Sequence, residues 1–394
     1  MIGVVADDLT GAAEIAAVGL RYGLRAEVML EGKPGEADLV CFDTDSRSHS
    51  PKAAARRAAS AAETFSNGGV RWVYKKIDSV LRGNVNAEIE AIAEQLRAKR
   101  ILLVPANPSL GRTIRSGAYF INRKPLDQTE FARDPEYPRR SANVLELLGP
   151  TTLPIQVCQP GDTLPKNGII VGEAESPADL ERWASRRTEV DLLAGGAEFF
   201  AALLSEAGYA GRRNEADDWR DAEIEKKLII SGTNSDASRE FINAAKKQGT
   251  PVFSLPSSLA QGAQLEPTDC RELAQEVGTA FDFKRSVILQ IGLPQVTSIA
   301  VGRRLATYLV QVAEEVLREN VVKGLYVEGG ATAAELVRRM GWTRLRVLRE
   351  WAPGVVTLAP ATAEWLTLTI KPGSYAWGAA MDELKVNRYN LRNA

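Results

Sequence analysis

The 394-residue sequence predicts an α/β protein with two domains, each a mainly parallel sheet flanked by helices, and an active site in the interdomain cleft. Short apolar segments alternate with helical patterns in two separate series, as expected for parallel sheets that are covered on both faces. Residues 208–227, between the two series, are highly charged and form the best linker candidate. We therefore predict one domain at residues 1–222 and a second at residues 223–394.

The first series contains apolar segments with the length of buried strands. We predict strands at residues 2–6, 26–30, 39–42, 70–74 and 101–104, with weaker candidates at 169–171 and 192–193. We predict helices at residues 12–20, from 51, at 85–98, at 178–187 and at 197–207. Residues 108–150 lack this alternation and predict a long irregular segment, which is usually functional or disordered. Arg112, Arg115 and Arg133 could make it a flap over an anionic ligand, and a plain surface excursion is the alternative.

The second series repeats the alternation. We predict strands at residues 228–230, 252–255, 286–291, 324–327, 346–348, 355–358 and 365–370. Helices are predicted from the turn after Ser231 to residue 247, at residues 300–317, and after Gly329 to residue 340. The segment that follows residue 255 is predicted to be a loop.

Composition excludes several classes of function. Hydrophobic residues make up 45% of the chain and charged residues 25%, as in ordinary soluble globular proteins. A net charge of −1 gives no basic field for nucleic acid, and no apolar run reaches the roughly 18 residues that span a bilayer. No signal peptide pattern is present, and three widely spaced cysteines favour a reducing cytoplasm. We expect no nucleic-acid or membrane partner, while homo-oligomer formation stays open.

The chain has one histidine, His49. A multi-histidine metal site is therefore excluded, and a triad or a Cys-His pair could use only this residue. Any acid-base step is expected to fall to a carboxylate or a lysine.

Polar residues follow several predicted strands of the first series. They are Asp7 and Asp8, then Asp43, Asp45 and Arg47, then residues 75–82, and then Asn107. In open parallel sheets, ligands bind outside the carboxyl ends of the strands. Four polar clusters at one edge therefore predict a binding site there.

The richest cluster is the turn at residues 74–84, with the sequence Tyr-Lys-Lys-Ile-Asp-Ser-Val-Leu-Arg-Gly-Asn. Cations beside hydroxyl and amide donors, next to a helix N-terminus, suit a carboxylate or a phosphate. The alternative is a solvated turn with local ion pairs. Because side chains alternate along a strand, we expect only one of Lys75 and Lys76 to face a substrate.

Glycine turns of the second series suggest a phosphate site. Walker A, Rossmann and protein-kinase loop motifs are all missing from the sequence. The segments 231–233 (Ser-Gly-Thr) and 329–332 (Gly-Gly-Ala-Thr) each follow a predicted strand and open a helix. Glycines allow close approach of a ligand to the backbone, and the helix N-terminus favours an anion. Lys371 and Gly373 could complete this cradle, although each turn alone could be plain chain punctuation.

These motifs resemble the four-carbon acid sugar kinase family. The resembling segments are residues 6–12 (Ala-Asp-Asp-Leu-Thr-Gly-Ala), 43–47 (Asp-Thr-Asp-Ser-Arg), 75–84, 105–108 (Pro-Ala-Asn-Pro), 111–113 and 131–135. The match to the second half of the chain is looser. The resemblance implies an acid-sugar-binding N-terminal domain and a nucleotide-binding C-terminal domain. It also implies ATP-dependent phosphorylation of the terminal hydroxyl of threonate, erythronate or an oxo-tetronate, with Mg²⁺ bridging the phosphates.

The predicted site follows from these motifs together. Arg82, with Lys75 or Lys76 and Arg47, is expected to hold the substrate carboxylate, and Asp8 or Asp78 to orient the attacking hydroxyl. The other predicted substrate-binding residues are Asp7, Ser79, Asn84, Asn107 and Arg112. The predicted nucleotide-binding residues are Ser231, Gly329, Gly330, Ala331, Thr332, Gly354, Lys371 and Gly373. Structural alternatives are that Asp7 caps a helix, that Lys75 lies in a salt bridge, and that Asp43 only holds its loop.

The chain departs from the family pattern at three positions. Val80 stands where threonine is common, Ala331 where an acidic residue is common, and residues 373–375 (Gly-Ser-Tyr) replace a Gly-Phe-Gly-like segment. Glu328 could substitute for the carboxylate lost at Ala331. If Glu328 does not take that role, the chain could be a non-catalytic acid-sugar or nucleotide sensor. A lyase that uses Lys75 as a Schiff base is a third alternative.

Overall fold

The two series of strands fold into two units, which a computed structural model describes at residues 1–134, 136–211, 226–292, 298–373 and 375–380. We call Met1–Glu215 the N-terminal unit and Ala216–Ala394 the C-terminal unit. The domain boundary predicted at residue 222 lies outside the described residues and stays a prediction. Within the described ranges, no helix has both the length and the apolar character needed to cross a membrane.

The N-terminal unit is built on eleven strands and six α-helices among its described residues. The strands are β1 (Ile2–Ala6), β2 (Ala26–Met29), β3 (Leu39–Asp43), β4 (Val73–Lys76), β5 (Arg100–Val104), β6 (Arg112–Arg115), β7 (Ala118–Ile121), β8 (Lys124–Pro125), β9 (Ile155–Cys158), β10 (Gly168–Gly172) and β11 (Leu192–Gly195). The helices are α1 (Leu9–Arg21), α2 (Pro51–Asn67), α3 (Val85–Leu96), α4 (Val144–Leu148), α5 (Pro177–Ser185) and α6 (Ala197–Glu206).

Eight of these strands form a parallel sheet in the order β2-β3-β1-β4-β11-β5-β10-β9. After β1 the chain first extends the sheet on one side through β2 and β3, and then crosses to place β4 on the other side of β1. The strand order therefore reverses between β1 and β4. This is the position at which open α/β sheets form their binding crevice, outside the carboxyl ends of the strands.

The sheet buries continuous apolar strands, as the sequence predicted. One core joins β1, β3, β5 and β10 with α2 and α3, and Phe65, Ile89 and Ile92 in it have no exposed surface. The helix α3 follows β4 directly, so residues 77–84 form the short connection between the reversal point and this core. Tertiary packing therefore fixes both ends of the segment that the sequence singled out.

Residues 108–150 differ from the irregular segment that the sequence predicted. They contain the antiparallel three-stranded sheet β6-β7-β8 and the short helix α4. Tight turns at Ser116-Gly117 and at Asn122-Arg123 have positive φ angles and join strands of only two to four residues. Strands this short carry little periodicity, which explains why the sequence did not predict them.

The C-terminal unit has seven strands and four helices among its described residues. The strands are β12 (Lys227–Ser231), β13 (Val252–Ser254), β14 (Ser286–Gln290), β15 (Gly324–Glu328), β16 (Arg344–Ala352), β17 (Val355–Pro360) and β18 (Thr367–Lys371). The helices are α7 (Asp236–Lys247), α8 (Pro267–Ala280), α9 (Ile299–Glu319) and α10 (Gly330–Arg339). The helix α8 corrects the prediction of a loop after residue 255.

Within this unit the strands run in the order β13-β14-β12-β15-β18-β17-β16. The strands β13, β14, β12, β15 and β18 are parallel, while β17 and β16 form an antiparallel edge. The order reverses between β12 and β15, as it does between β1 and β4 in the N-terminal unit. Both units therefore confirm the predicted class of mainly parallel sheets flanked by helices.

Candidate functional site

Arg47 lies at the centre of the polar cluster at the β1/β4 reversal point. Its Nε and Nη2 donate to the two carboxylate oxygens of Asp7 at 2.7 and 3.0 Å, and its Nη1 donates to Asp8 Oδ2 at 2.7 Å. Asp78 Oδ1 lies 3.7 Å from the same Nη1. Planar guanidinium and carboxylate groups bind in this bidentate way with strong directional preference. Arg47 thus holds together the residues that follow β1 and β4.

The charge state of Asp7 depends on these neighbours. Burial alone raises the pKa of Asp7, but the nearby cations Arg47 and Lys75 outweigh it and lower the pKa below the ordinary value of 3.8. Asp7 is therefore a buried, ionised carboxylate that is fully engaged with its partner. It does not cap the helix that follows, which was the structural alternative for this residue.

Asp8 is the residue that caps α1. Its Oδ1 accepts a hydrogen bond from the Gly11 amide at 2.9 Å, and its Oδ2 accepts from Thr10 Oγ1 at 2.7 Å. Its side chain keeps 21% of its surface exposed, compared with 5% for Asp7. Asp8 is therefore the more accessible carboxylate of the pair.

Asp78 and Arg82 form a closed pair within the turn after β4. Arg82 Nε and Nη2 donate to Asp78 at 3.0 and 2.8 Å, and the amides of Val80 and Arg82 donate to the same carboxylate. Burial raises the pKa of Asp78, but Arg82 and Arg47 lower it far more, to well below 3.8. Asp78 is therefore a weak base that shapes its turn.

Gly83 allows this turn to approach the Arg47 cluster. Its φ is +86°, and a Cβ atom there would lie 3.1 Å from Arg47 Cγ and 3.3 Å from Asp7 Oδ2. A side chain at this position would be strained and crowded at once. Close packing against Arg47 and Asp7 therefore explains why the motif has glycine at position 83.

Phe131, Asp134 and Arg139 lie against the turn. Arg82 Nη1 donates to Asp134 at 3.1 Å, and the Arg82 guanidinium lies 6.0 Å from the centre of the Phe131 ring. Arg139, which the sequence reasoning missed, donates to the Leu81 carbonyl at 2.9 Å. Its place after a Pro residue in a polar segment gave no signal of this contact.

The three arginines predicted to form a flap occupy different surroundings. Arg112 donates to Ser79 Oγ and so touches the turn. Arg115 lies 3.6 Å from Glu175 and stacks on Phe120, away from the turn. Arg133 is exposed. Only Arg112 of the three is placed by its described contacts at the predicted anion site.

Lys75 and Lys76 lie in β4, so the turn begins two residues later than the sequence predicted. Lys75 Nζ lies 2.5 Å from Glu88 of α3, and Lys76 Nζ lies 3.0 Å from Glu14 of α1. Both lysines are buried, and they point to opposite faces of the sheet, as strand alternation requires. Lys75 is thus in a salt bridge, which was its structural alternative, and Glu88 is a residue that the sequence reasoning missed.

The side chains of the two predicted asparagines form hydrogen bonds with backbone groups. Asn84 Nδ2 donates to the carbonyls of Ser46, Arg47 and His49, and so ties the segment after β3 to the start of α3. Asn107 is buried, and its Oδ1 accepts from the Glu198 amide at 3.2 Å near the start of α6. Asp43 holds its own loop, since its Oδ1 accepts from the Asp45 amide at 2.8 Å.

The predicted glycine turns of the C-terminal unit come together at its own reversal point. The Gly232 amide donates to the Glu328 carbonyl at 3.1 Å, and the Gly329 amide donates to the Lys371 carbonyl at 3.0 Å. Ser235 Oγ donates to the Gly373 carbonyl at 2.6 Å. Three segments that are distant in sequence therefore form one edge.

Close packing explains why glycine occupies these positions. A Cβ at Gly232 would overlap Thr332 Oγ1 and lie 2.8 Å from Thr332 Cβ, and a Cβ at Gly373 would lie 2.7 Å from Thr233 Oγ1. Gly329 has a φ of +101°. Gly354, also at positive φ, faces the Tyr375 ring, where a Cβ would lie 2.9 Å away, so its described contacts support the segment after Gly373.

The helix α10 begins at this edge without a side-chain cap. Its N-cap is Gly329, and within the described part of the chain no side-chain cap hydrogen bond is made at this end. The first amides of the helix are those of Gly330, Ala331 and Thr332. The first amides of a helix lack internal acceptors and carry the positive end of the helix dipole. An anion such as a phosphate suits this position.

A buried polar group underlies the same edge. Glu328 has no exposed surface, and its Oε2 accepts from Ser231 Oγ and Ser238 Oγ at 2.6 Å each. Its Oε1 lies 2.9 Å from Lys371 Nζ. Burial lowers the pKa of Lys371 below 10.5, although Glu328 opposes this shift. Ser231 therefore contacts a carboxylate beneath the turn.

These contacts bear on Mg²⁺. Glu328 is enclosed by its three partners, and Ala331 supplies no ligand atom on its side chain. Among the described residues, no group of three or more histidine, cysteine or carboxylate side chains could hold a metal ion. The edge thus fits a nucleotide phosphate, while a metal would depend on the phosphates and on water for most of its ligands.

Comparisons with known proteins agree with this division of the chain. A model described as a sugar-binding N-terminal domain matches residues 2–203, and one described as a nucleotide-binding C-terminal domain matches residues 228–375. A D-threonate kinase of Cupriavidus necator is 30% identical over 377 residues, which covers 89% of this chain and 88% of that protein. A 3-oxo-tetronate kinase of Pseudomonas fluorescens is 24% identical and covers 95% of this chain and 94% of its own.

A crystal structure of a Haemophilus influenzae protein has the same fold, with a TM-score of 0.73 at 19% identity, and covers 97% of this chain and 98% of its own. The two domain models and the threonate kinase together span both units of the structure. The chain belongs to the four-carbon acid sugar kinase family, with a sugar-binding N-terminal domain and a nucleotide-binding C-terminal domain.

Proposed function

We propose that this chain is an ATP-dependent kinase that phosphorylates the terminal hydroxyl of a four-carbon sugar acid. The observation that carries this proposal is the charged cluster at the β1/β4 reversal point, where Arg47 joins Asp7 and Asp8. Relatives over most of the chain are named D-threonate, 3-oxo-tetronate and D-erythronate kinases. These names support an acid of this size, and they leave the choice among the three acids open.

We assign carboxylate recognition to the guanidinium groups around the turn after β4. Arg82 and Arg112 both contact this turn, and Arg82 retains 29% of its side-chain surface. Arg47 supports recognition indirectly, because its guanidinium group is hydrogen-bonded to Asp7 and Asp8. Lys75 and Lys76 supply buried positive charge beneath this cluster. Ser79 and Asn107 stay candidate contacts for the hydroxyl groups of the acid.

We assign the orientation of the attacking hydroxyl to Asp8 in preference to Asp78. Asp78 accepts four hydrogen bonds within its own turn, and its pKa is strongly lowered by Arg82 and Arg47. Asp8 is more exposed and stands at the carboxyl end of β1. Phosphoryl transfer depends mainly on positioning and charge neutralisation, so an ordinary carboxylate suffices for this role.

We assign nucleotide binding to the edge formed by the three turns of the C-terminal unit. The first amides of α10, at Gly330, Ala331 and Thr332, suit phosphate oxygens, and Gly329 and Gly373 have no side chain to obstruct the backbone. Bound ATP would supply the phosphoryl group. Ser231 and Lys371 support the turns indirectly, because both contact the buried Glu328 carboxylate. Gly354 supports them indirectly by packing against the Tyr375 ring.

A second candidate is a non-catalytic sensor of the acid or the nucleotide. The observation that favours it is that Ser231, Ser238 and Lys371 enclose the Glu328 carboxylate. Since Ala331 has no carboxylate either, neither residue offers the turn a carboxylate for a metal ion. A lyase with a Lys75 Schiff base is disfavoured, since the Lys75 ammonium is buried against Glu88. A cytoplasmic location and a homo-oligomeric state remain predictions.

The test is ADP release by the full chain with Mg²⁺-ATP and a panel of D-threonate, D-erythronate and 3-oxo-tetronate. A kinase releases ADP with at least one acid and gives one phosphorylated product by mass spectrometry. Binding of an acid by calorimetry without ADP release would instead establish the sensor. Trapping of Lys75 by borohydride in the presence of an acid would point to the lyase.

A further inference from the structure

Glu88, in α3, is a buried carboxylate to which the proposed reaction gives no role. Its side chain is 1% exposed. Oε2 lies 2.5 Å from Lys75 Nζ, and Oε1 accepts a hydrogen bond from Ser46 Oγ at 2.8 Å. A buried charge is costly unless it is both paired and hydrogen-bonded. Glu88 meets both conditions through partners on two other elements.

The Ser46 branch leads directly to Arg47. The Ser46 amide donates to the Asp7 carbonyl at 2.9 Å, and the Arg47 amide donates to the same carbonyl at 3.2 Å. Thr44 Oγ1 lies 2.7 Å from Ser46 Oγ and donates to the Ala6 carbonyl at 2.8 Å. Glu88 thereby fixes the backbone that presents Arg47 to Asp7 and Asp8.

The Lys75 branch leads to Asp7 from below. Lys75 lies in β4, whose neighbour β1 ends one residue before Asp7. The positive charge of Lys75 helps to keep the Asp7 carboxylate ionised. Asp7 is in turn the bidentate partner of Arg47. Both branches from Glu88 therefore converge on the pairing of Asp7 with Arg47.

We propose that Glu88 is a positioning residue for the acid-sugar site, acting through Lys75 and Ser46 to hold Arg47, Asp7 and Asp8 in the arrangement that binds the acid. This inference rests on the proposed kinase function. It assigns to Glu88 an effect on the acid substrate alone, because its partners all belong to the N-terminal unit. A merely structural role would lower stability and leave the kinetic constants of the folded enzyme unchanged.

The main test is the double variant Lys75→Met with Glu88→Met. Replacing both members of a buried ion pair by apolar residues is often neutral for stability, while removal of one partner is strongly destabilising. In the double variant, Ser46 Oγ can still donate to Thr44 Oγ1, so no buried hydroxyl loses its only partner. The exposed Glu94 on the same helix provides the control Glu94→Gln.

We expect Glu88→Gln alone to lower the thermal midpoint and the double variant to restore it. With the midpoint restored, kcat/KM for the acid should still fall roughly 100-fold, the size of loss that misplaced binding groups produce. The KM for ATP should stay within about twofold, since that site lies on other elements. A double variant with a restored midpoint and an acid kcat/KM within about threefold of wild type would refute the inference.

A second variant keeps the test decisive if the double variant does not fold. Ser46→Ala cuts the branch to Arg47 and leaves the Lys75–Glu88 pair intact. It should lower kcat/KM for the acid about tenfold, by the loss of one hydrogen bond to a charged group, without changing the KM for ATP. If folded Ser46→Ala has the same kcat/KM for the acid substrate as wild type, the inference is overturned.

The proposed function can fail separately. If wild type releases no ADP with any acid of the panel, calorimetry with D-threonate and D-erythronate replaces kinetics as the readout. Weaker acid binding by Ser46→Ala than by Glu94→Gln would then support the role of Glu88. Equal binding by both variants, or no binding of either acid by wild type, would overturn it.

Discussion

The two units share a pattern of strand order, but they build their binding edges from different materials. In each unit the first and fourth strands are neighbours with the reversal point between them, as in β1/β4 and β12/β15. The N-terminal edge consists of interlocked charged side chains centred on Arg47. The C-terminal edge consists of glycine turns and helix amides, with no room for a Cβ at Gly232 or Gly373.

This difference matches the chemistry that each edge is proposed to bind. A small acid with several hydroxyl groups must be recognised group by group, which requires directional side chains held by ion pairs. A phosphate chain can be bound by repeated amides, for which the backbone itself must come close. Beneath both edges lies a buried lysine–glutamate pair, Lys75–Glu88 in one unit and Lys371–Glu328 in the other.

The largest effect is expected from Asp8→Asn, which tests the side-chain chemistry of the N-terminal edge. Asparagine still caps a helix, so α1 should remain intact while the charge is lost. We expect kcat to fall by about 10²–10⁴-fold, the usual contribution of a positioned acid-base group. Steady-state ADP release measures this, with Asp38→Asn, which lies in a partly exposed ion pair with Arg25, as control. A kcat near that of wild type, with loss of turnover in Asp78→Asn instead, would return this role to Asp78.

The next effect concerns the buried pair of the C-terminal unit. Glu328→Gln leaves the Lys371 ammonium buried without a counter-charge, and we expect a loss of about 3–5 kcal/mol in the free energy of unfolding of that unit. Urea unfolding followed by tryptophan fluorescence should report it, because Trp377 lies 5.2 Å from Lys371.

The matched control is Glu335→Gln on α10, which breaks a partly exposed pair with Arg338. Exposed pairs contribute roughly 0–1 kcal/mol, so this variant should unfold nearly as wild type does. Equal midpoints for the two variants would mean that Lys371 finds another partner or loses its proton when Glu328 is neutral.

A smaller effect should follow from Gly232→Ala, which tests the backbone packing of the C-terminal edge. The added Cβ would overlap Thr332 Oγ1 and force the two turns apart. Overpacking of this kind costs about 1–3 kcal/mol, so we expect the KM for ATP to rise roughly 5- to 150-fold while the KM for the acid holds. Gly302→Ala in α9 is the control, since its Cβ would meet no atom within 4 Å.

The smallest effect is expected in acid, where the ion pairs of the N-terminal edge are lost. The folded-state pKa of Asp78 lies well below its ordinary value of 3.8, so its stabilising contribution is complete above 3.8 and disappears as the pH falls through the folded pKa. Asp43 has the opposite effect on stability in acid. Burial raises its pKa well above 3.8, so its protonation as the pH falls removes the cost of burying a charged carboxylate.

The variant Arg82→Gln isolates the Asp78 contribution. Without Arg82 the folded-state pKa of Asp78 should lie closer to 3.8, so the variant should lose less stability than wild type as the pH falls below 3.8. Urea midpoints between pH 2 and pH 6 measure the difference. Parallel curves for the two proteins would show that Arg82 does not set the ionisation of Asp78.

The sequence predicted the strands of both sheets well because parallel strands are continuous apolar runs. It misplaced the end of β4, since Lys75 and Lys76 look like turn residues. They belong to the strand because Glu88 and Glu14 meet them inside the fold, and such pairings between distant residues leave no local signal. The helix α8 was missed although Pro267 stands at its first turn, because its polar surface carries a weak apolar stripe.

The candidate site was predicted at the level of segments rather than atoms. The clusters at residues 7–8, 43–47 and 75–84 do meet, because strand ends of one parallel sheet share an edge. Which carboxylate caps α1, Asp7 or Asp8, depends on a one-residue difference in where the helix begins. Which arginine is engaged with which aspartate depends on packing that only the folded chain provides.

The two reversal points have a consequence for how this chain could change. All the assigned acid-side residues lie between residues 7 and 112, and all the assigned nucleotide-side residues lie between residues 231 and 373. Each unit therefore carries its own complete set of assigned groups on its own sheet. We therefore expect mutations in the first half to change acid preference and to leave the phosphate turns intact, so that the substrate and the energy source can evolve separately.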